Sequence, residues 1–487
     1  MTKSMIDVLV IGAGGAGLAA ALGAAQAGAK VVVVEKTNFI GGPNRINPGS
    51  LGMCAVESWM QAEMHVGVSQ ACAYRMLMEH SRWRTDGRIV SAFIRNSGAT
   101  IEWFNQMGIR FDRVLAYYTG AEVVFHVRND PENPVIADVL EAKARDLHVD
   151  FQLQTKATRL LTENECIIGC EVMDLEGGIH NLHAARTVIA TGEYQGSPEL
   201  IEKLTGLRQG VDLFTFKMFT HPQHQGDGLL MAWEAGAAQS PTMLETYLYL
   251  PDPYGGPGGT AVELSTFRQP GLLVNQLGAR FVDEAIVKNP ADAANAVRRQ
   301  PGSYAYMITT ETIDHELRTL GIDYQLFALY QPPGKLGPLR DHVSSAIDSG
   351  YKNLFQAESL EELAVQLMVP EKKLAETVAA YDEFCHIGID SEFFKDPKYL
   401  REIGSKGPFF AAKFCLGSYG SSGGIAINEH GQALNSDQCP IPGLYATGRD
   451  ANSIYGGTYP FAFAGAIEGF SYTMGRLAGK HAADSLF

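Results

Sequence analysis

Gly12-Ala13-Gly14-Gly15-Ala16-Gly17 stands between the apolar run Val8-Leu9-Val10-Ile11 and the alanine-rich stretch Leu18 to Gln26, and a second apolar run, Val31 to Val34, ends at Glu35 and Lys36. Strand, turn, helix, strand and acid follow one another in the order that binds a dinucleotide. Gly12 permits the tight turn, Gly14 lets backbone N–H groups approach a pyrophosphate at the helix N-terminus, and Gly17 lets that helix pack close to the first strand. Glu35 is placed to accept hydrogen bonds from ribose hydroxyls. A glycine-rich hexapeptide alone is weak evidence, but with both strands and the acid in place the chain is expected to bind an adenine dinucleotide at its N-terminus.

The opposite end of the chain bears on which dinucleotide it is. Ile441-Pro442-Gly443-Leu444-Tyr445-Ala446-Thr447-Gly448-Arg449-Asp450, then Gly456-Gly457 and the helix-like segment Ala466 to Ala483, resembles the C-terminal flavin-binding stretch of the fumarate reductase/succinate dehydrogenase flavoprotein superfamily. Further motifs between the ends extend the resemblance. They are Gly41-Gly42, Thr187-Val188-Ile189-Ala190-Thr191-Gly192, Gly226-Asp227-Gly228 before Met231 to Ala237, and Gly271 to Asn275 before Arg280-Phe281-Val282-Asp283-Glu284. The resemblance implies FAD, held by Gly12, Gly14, Gly15, Ala16, Gly17, Glu35, Lys36, Gly41, Gly42, Ala157, Ala190, Thr191, Gly192, Asp227, Gly448, Arg449 and Asp450. A helix N-terminus facing the flavin pyrimidine would stabilise negative charge on the reduced ring. No histidine lies between Gly41 and Leu51, where flavinylated relatives carry their attachment, so the FAD is expected to be non-covalent.

Fumarate-reducing members of that superfamily clamp two carboxylates with histidines and an arginine and protonate with an arginine of the cap. Here the corresponding stretches read Ile286-Val287-Lys288-Asn289-Pro290, Gly420-Ser421-Ser422-Gly423-Gly424 and Tyr459-Pro460-Phe461-Ala462-Phe463. A dicarboxylate would meet few compensating charges, and burying an unpaired carboxylate is expensive. Fumarate and succinate are therefore not expected substrates. Gly457-Thr458-Tyr459-Pro460 is similar instead to a motif of 3-ketosteroid dehydrogenases, in which the tyrosine hydroxyl hydrogen-bonds the substrate carbonyl, and the resemblance gives that role to Tyr459. A phenol stays protonated at neutral pH and can polarise a ketone oxygen, acidifying the adjacent C–H. Tyr455, Tyr118 and Tyr247 are the further catalytic candidates, with Tyr117, Tyr249 and Tyr254 in the same stretches.

The expected reaction is desaturation or ene reduction of a C–C bond beside a carbonyl in a small neutral ketone or enone, with hydride passing to or from flavin N5. The electron donor or acceptor is not legible. Two other readings stay open: an ene reductase for an unsaturated carboxylate, anchored by Arg45, Lys288 or Arg449, and a flavoprotein with non-redox isomerase or hydratase activity. His221 and His224 read as loop residues, and no cluster with ligand spacing suggests a metal.

These groups require an α/β fold, a Rossmann-like FAD-binding domain with an inserted α+β capping domain. The expected division is 1–243 for the first part of the FAD-binding domain, 244–417 for the cap that holds substrate, and 418–487 for the second part. A helical and loop insertion runs from Glu57 to Arg128, helices are expected at Ser359 to Leu367 and Glu371 to Phe384, and Pro251 to Gly259 forms a turn-rich loop. A chain of 487 residues, 46% hydrophobic and 19% charged, has ample material for such a core. The net charge of −15 argues against nucleic acid. The first strand begins too early for a secretory signal, no apolar run is long enough for a membrane helix, and the seven cysteines lack disulfide or metal spacing. A cytoplasmic enzyme with free thiols is expected.

Overall fold

The structure is a computed structural model, and it describes residues 6–42, 45, 52–118, 120–128, 132–208, 223–251, 262–323 and 337–487. Its largest sheet has eight strands, in the order 432–434, 440–446, 179–189, 6–11, 31–34 and 150–152, with the hairpin 156–163/166–173 added beside 179–189. Strand Ile6–Ile11 lies parallel to Val31–Val34 on one side and to Ile179–Ile189 on the other, and Pro440–Ala446 continues the parallel set. Val8, Leu9, Val10 and Val33 are fully buried, as continuous β-branched and leucine runs are when both faces of a parallel sheet are covered.

Two helices cover one face of that sheet, Gly15–Gln26 and Ala466–Asp484. Small residues decide how closely they approach. A Cβ on Gly479 would stand 1.9 Å from the Ala20 carbonyl oxygen, one on Gly475 2.5 Å from that of Ala16, and one on Gly23 2.6 Å from that of Arg476. The last helix of the chain is thereby locked against the first, with Gly475 beside the start of the first helix and the N-cap Gly465 against Cys54.

A second sheet is antiparallel, in the order Met243–Tyr249, Phe409–Ser422, Tyr304–Thr310 and Leu272–Val274, with Leu354–Ala357 also paired to the long central strand. The expected boundary between Gly417 and Ser418 falls inside that continuous strand, because one 14-residue strand serves both the second sheet and the approach to the flavin-binding stretch. The Arg280-to-Glu284 motif supplies a buried ion cluster beside this sheet. Arg280 donates to Glu284 at 2.8 Å and to Asp390 at 2.7 Å, while Lys395 Nζ donates to Tyr381 Oη at 2.8 Å. With every charge partnered, the cluster ties 390–395 to 280–288 and avoids the cost of a buried lone ion.

The insertion contains helices Trp59–Met64, Gln70–His80 and Gly87–Gln106 and also a three-stranded sheet, 52–54, 123–127 and 113–116. The expected helices appear as Leu360–Leu367 and Glu371–Ile387. The Pro251-to-Gly259 loop and Tyr254 lie outside the described residues, apart from Pro251 itself. No described helix is long and apolar enough to cross a membrane, and the seven cysteines form no disulfide.

Candidate active site

A cleft of about 470 Å³ runs between the two sheets, within the size range of ligand sites. One end is the dinucleotide turn. Gly12 sits at φ +102°, and a Cβ there would lie 2.4 Å from the Ala190 carbonyl oxygen, so glycine is required by both torsion and space. Gly14 is different. It caps the first helix in an extended conformation, and a Cβ there would meet nothing within 4 Å. Its missing side chain leaves room for a ligand in contact with the first N–H groups of a helix. Gly17 faces away, its Cβ position 1.9 Å from the Gly12 carbonyl oxygen, and acts through helix packing.

Glu35 lines the cleft, and its carboxylate is oriented by the N–H groups of Ala13 at 2.9 Å and Thr37 at 2.8 Å. Lys36 and Lys156 both pair with Asp227, the latter at 3.3 Å. Gly15, Ala16, Gly42, Ala157, Ala190, Thr191, Gly192, Gly448 and Arg449 also line the cleft, whereas Gly41 and Asp450 stand just behind it. Asp450 accepts from Thr191 Oγ1 at 2.9 Å and from the Gly192 N–H at 2.7 Å. Burial outweighs those bonds and pushes its carboxyl up to about 7. Thr447 lines the same wall, and its buried hydroxyl has no partner among the described residues. A helix N-terminus with open space above Gly14, a presented acid and a hydroxyl without a partner among the described residues fit an FAD pyrophosphate, ribose and ribityl chain.

The other end is aromatic. Tyr117, Phe125, Tyr419, Tyr459 and Phe461 all line it. Tyr459 and Phe461 stand edge to face with centroids 4.9 Å apart, Tyr117 and Phe125 likewise at 5.6 Å, and Tyr419 stacks on Tyr247 at 4.0 Å. The Tyr117 and Tyr419 hydroxyls share a hydrogen bond. Burial pushes the Tyr459, Tyr419 and Tyr117 phenols up, so all three keep their protons at neutral pH.

Tyr459 Oη accepts the Gly465 N–H at 2.9 Å, leaving its own proton to donate. Gly465 is the N-cap of the last helix at φ +77°, and a Cβ on it would meet the Cys54 nitrogen at 2.8 Å. Polarised by the helix N-terminus, that hydroxyl is a good donor to an oxygen in the cleft.

The other tyrosine candidates lie elsewhere. Tyr455 is buried behind Tyr459 and accepts from Asn452 Nδ2 at 2.9 Å. Tyr247 is a buried backing for Tyr419, and Tyr118, unlike its neighbour Tyr117, is not part of the cleft lining. Of the proposed carboxylate anchors, Arg45 pairs with Asp138 and Glu141 and Lys288 lies over the Tyr399 ring at 4.5 Å, both off the cleft. Arg449 alone lines it.

His224 does lie in a loop, but not idle at the surface: it lines the cleft with its Nδ1 3.0 Å from Glu193 Oε1; His221 lies outside the described residues. Burial works against the Glu193 charge, but Arg449, His224 and the Ser421 N–H together hold its carboxyl below the usual range. Glu245 takes the reverse course: burial dominates and raises it, against the pull of Arg449 and Ser422. Sequence reasoning passed over Tyr419, Glu245 and Gly465. Its only hints were Glu193 in place of a usual glycine and Tyr419 ahead of the altered Gly420-to-Gly424 stretch.

The model of the family described as "FAD binding domain" matches residues 7–463. A vinyl phenol reductase of Lactiplantibacillus plantarum is 30% identical, over 98% of this chain and 96% of its own length. A fumarate reductase (cytochrome) of Shewanella frigidimarina is 27% identical, over 98% of this chain and 77% of its own. The solved structure of 3-ketosteroid-Δ4-(5α)-dehydrogenase from Rhodococcus jostii RHA1, in complex with 4-androstene-3,17-dione, superposes with a TM-score of 0.75 at 22% identity, covering 99% of this chain and 97% of that one.

Proposed function

Because the chain belongs to the FAD-binding-domain family, within the fumarate reductase/succinate dehydrogenase flavoprotein superfamily, and is an FAD-dependent oxidoreductase acting on C–C bonds, we propose that it reduces the alkene of a small, flat, uncharged substrate. The alkene is conjugated to an oxygen function, a ketone or a phenol. The observation that carries this reading is the aromatic end of the cleft, where Tyr459, backed by the Gly465 N–H, faces a box of four further aromatic rings. Non-covalently bound FAD supplies hydride transfer. For an enone Tyr459 donates to the carbonyl oxygen and stabilises the enolate charge that gathers there; for a vinyl phenol charge gathers on the same oxygen once the phenol has lost its proton and the terminal alkene carbon has taken one. The hydrogen-bonded pair Tyr117 and Tyr419 holds a proton for the substrate carbon. Residues 244–417 act as a cap that keeps water from the reacting bond. The full-length likeness to a vinyl phenol reductase supports a phenolic alkene as the oxygen-bearing class.

The same donor set would serve the reverse chemistry, desaturation beside a ring ketone, and the fold shared with a ketosteroid dehydrogenase keeps that second reading in view. One anaerobic experiment tests both. Dithionite-reduced holoprotein is mixed with para-vinylphenol, a cyclic enone or fumarate, and flavin reoxidation is followed. Reoxidation by the neutral alkenes, far faster than by fumarate, is expected. Equal rates with fumarate, or no reoxidation by any neutral alkene, would overturn the proposal.

A further inference from the structure

Resting on the reading of the cleft as a site for an uncharged alkene, we propose that Glu245 is the specificity residue that denies the cleft to substrates bearing a carboxylate, by keeping Arg449 occupied. Strand Met243–Tyr249 is irregular between Leu244 and Thr246, and the irregularity turns Glu245 toward the cleft. Such bulges commonly re-aim a side chain beside a site. Glu245 Oε1 accepts from Arg449 Nη1 at 2.6 Å and from Ser422 Oγ at 2.5 Å, and only 2% of the side chain is exposed. Glu193 Oε2 lies 3.7 Å from the same guanidinium nitrogen.

Each lysine and arginine of the cleft therefore already has a carboxylate partner. Among the described residues its lysine and arginine side chains are Lys36, Lys156 and Arg449, and its one histidine, His224, stands against Glu193. Both lysines pair with Asp227 at the dinucleotide end. Near the aromatic end Arg449 faces two carboxylates of its own, and Glu468 lines the cleft as a third. An incoming carboxylate would have to displace Glu245 from Arg449 or lie against it within a few ångströms. Like charges held that close in a partly desolvated cleft weaken binding on the order of a hundredfold. Removing the Glu245 charge while keeping its shape would leave Arg449 with one carboxylate at 3.7 Å and offer its planar donors to a substrate acid.

The test uses the oxidised holoprotein, with flavin spectral perturbation reporting the binding of para-hydroxycinnamate and of its methyl ester. Wild-type protein is expected to bind the ester at least about a hundredfold more tightly than the acid. Glu245→Gln should narrow that ratio at least tenfold by tightening the acid, Glu245→Asp should keep discrimination, and adding Arg449→Gln to Glu245→Gln should lose the acid again. Equal wild-type binding of acid and ester overturns the inference without any variant, which covers the case in which Glu245→Gln fails to retain flavin. A ratio unchanged within threefold in Glu245→Gln overturns it as well. Failure of the functional reading looks different. Wild-type protein would then bind the ester yet show no flavin reoxidation with any neutral alkene, while the acid-to-ester ratios still decide the role of Glu245.

Discussion

Replacing Gly14 by Val separates cofactor binding from folding. Gly14 has φ −72° and ψ −176°, an extended conformation open to any residue, and nothing approaches its Cβ position within 4 Å. In FAD-free protein the change should be nearly neutral. Restricting the unfolded chain stabilises by about 0.4–1 kcal/mol, and replacing a glycine N-cap by valine costs roughly 0.5–1.5 kcal/mol, so the two nearly cancel. The three carbon atoms added do fill the space above the helix N-terminus that a pyrophosphate needs. A thousandfold weaker FAD complex would remove about 4 kcal/mol of ligand-linked stability at cofactor concentrations far above Kd. Denaturant unfolding with and without added FAD, together with visible flavin absorbance, reads both quantities. The expected result is a colourless protein whose midpoint matches wild-type apoprotein and ignores added FAD. A yellow Gly14→Val protein with stoichiometric flavin would refute the assignment of this turn. Gly12→Ala is the contrasting change: at φ +102°, with its Cβ 2.4 Å from the Ala190 oxygen, it should damage the fold itself by about 1–3 kcal/mol or more.

Tyr459→Phe keeps the packing against Phe461 and removes the hydroxyl held by Gly465, so turnover of a neutral alkene should fall roughly 10²–10⁴-fold with FAD retained. Tyr455→Phe, lacking only a bond to Asn452, should stay within about tenfold of wild type, and equal damage from both changes would count against a specific role for Tyr459. The Asp450 carboxyl, raised to about 7 by burial, holds its proton in the folded apoprotein where the unfolded chain has lost it. Its contribution to stability is complete at low pH and fades as pH rises from about 4 to about 7; urea midpoints of wild type relative to Asp450→Asn should fall over that window and level off above it, and a pH-independent difference would contradict the assignment. Acid precipitation should release intact FAD into the supernatant, and flavin that stays with the polypeptide would show covalent attachment.

The nucleotide-binding half was legible from the chain because its constraints are local. A turn at positive φ, a helix close to a strand and an acid at the end of the next strand each demand a residue type at a fixed spacing, and Gly12, Gly17 and Glu35 carry those demands in the sequence itself. The pairing of the first helix with the last was written less openly, in Gly23, Gly475 and Gly479, whose purpose appears only when the two helices touch. The aromatic end was legible as a motif at Tyr459 and nowhere else. Tyr117 and Tyr118 are indistinguishable as letters, and only the folded chain, bending at Tyr117 just past the strand Arg113–Ala116, puts Tyr117 in the cleft lining and leaves Tyr118 out of it. Tyr419, Glu193, Glu245 and Arg449 come from separate strands and loops more than two hundred positions apart in the extreme pair, so no spacing relates them. Their charges meet only after the second sheet has laid 243–249 against 409–422, and a bulge at Glu245 turns that carboxylate inward. Residue types fixed what chemistry was available; tertiary packing determined which of those groups share one cleft, because the burial that sets their charge and reach belongs to the folded assembly of both sheets.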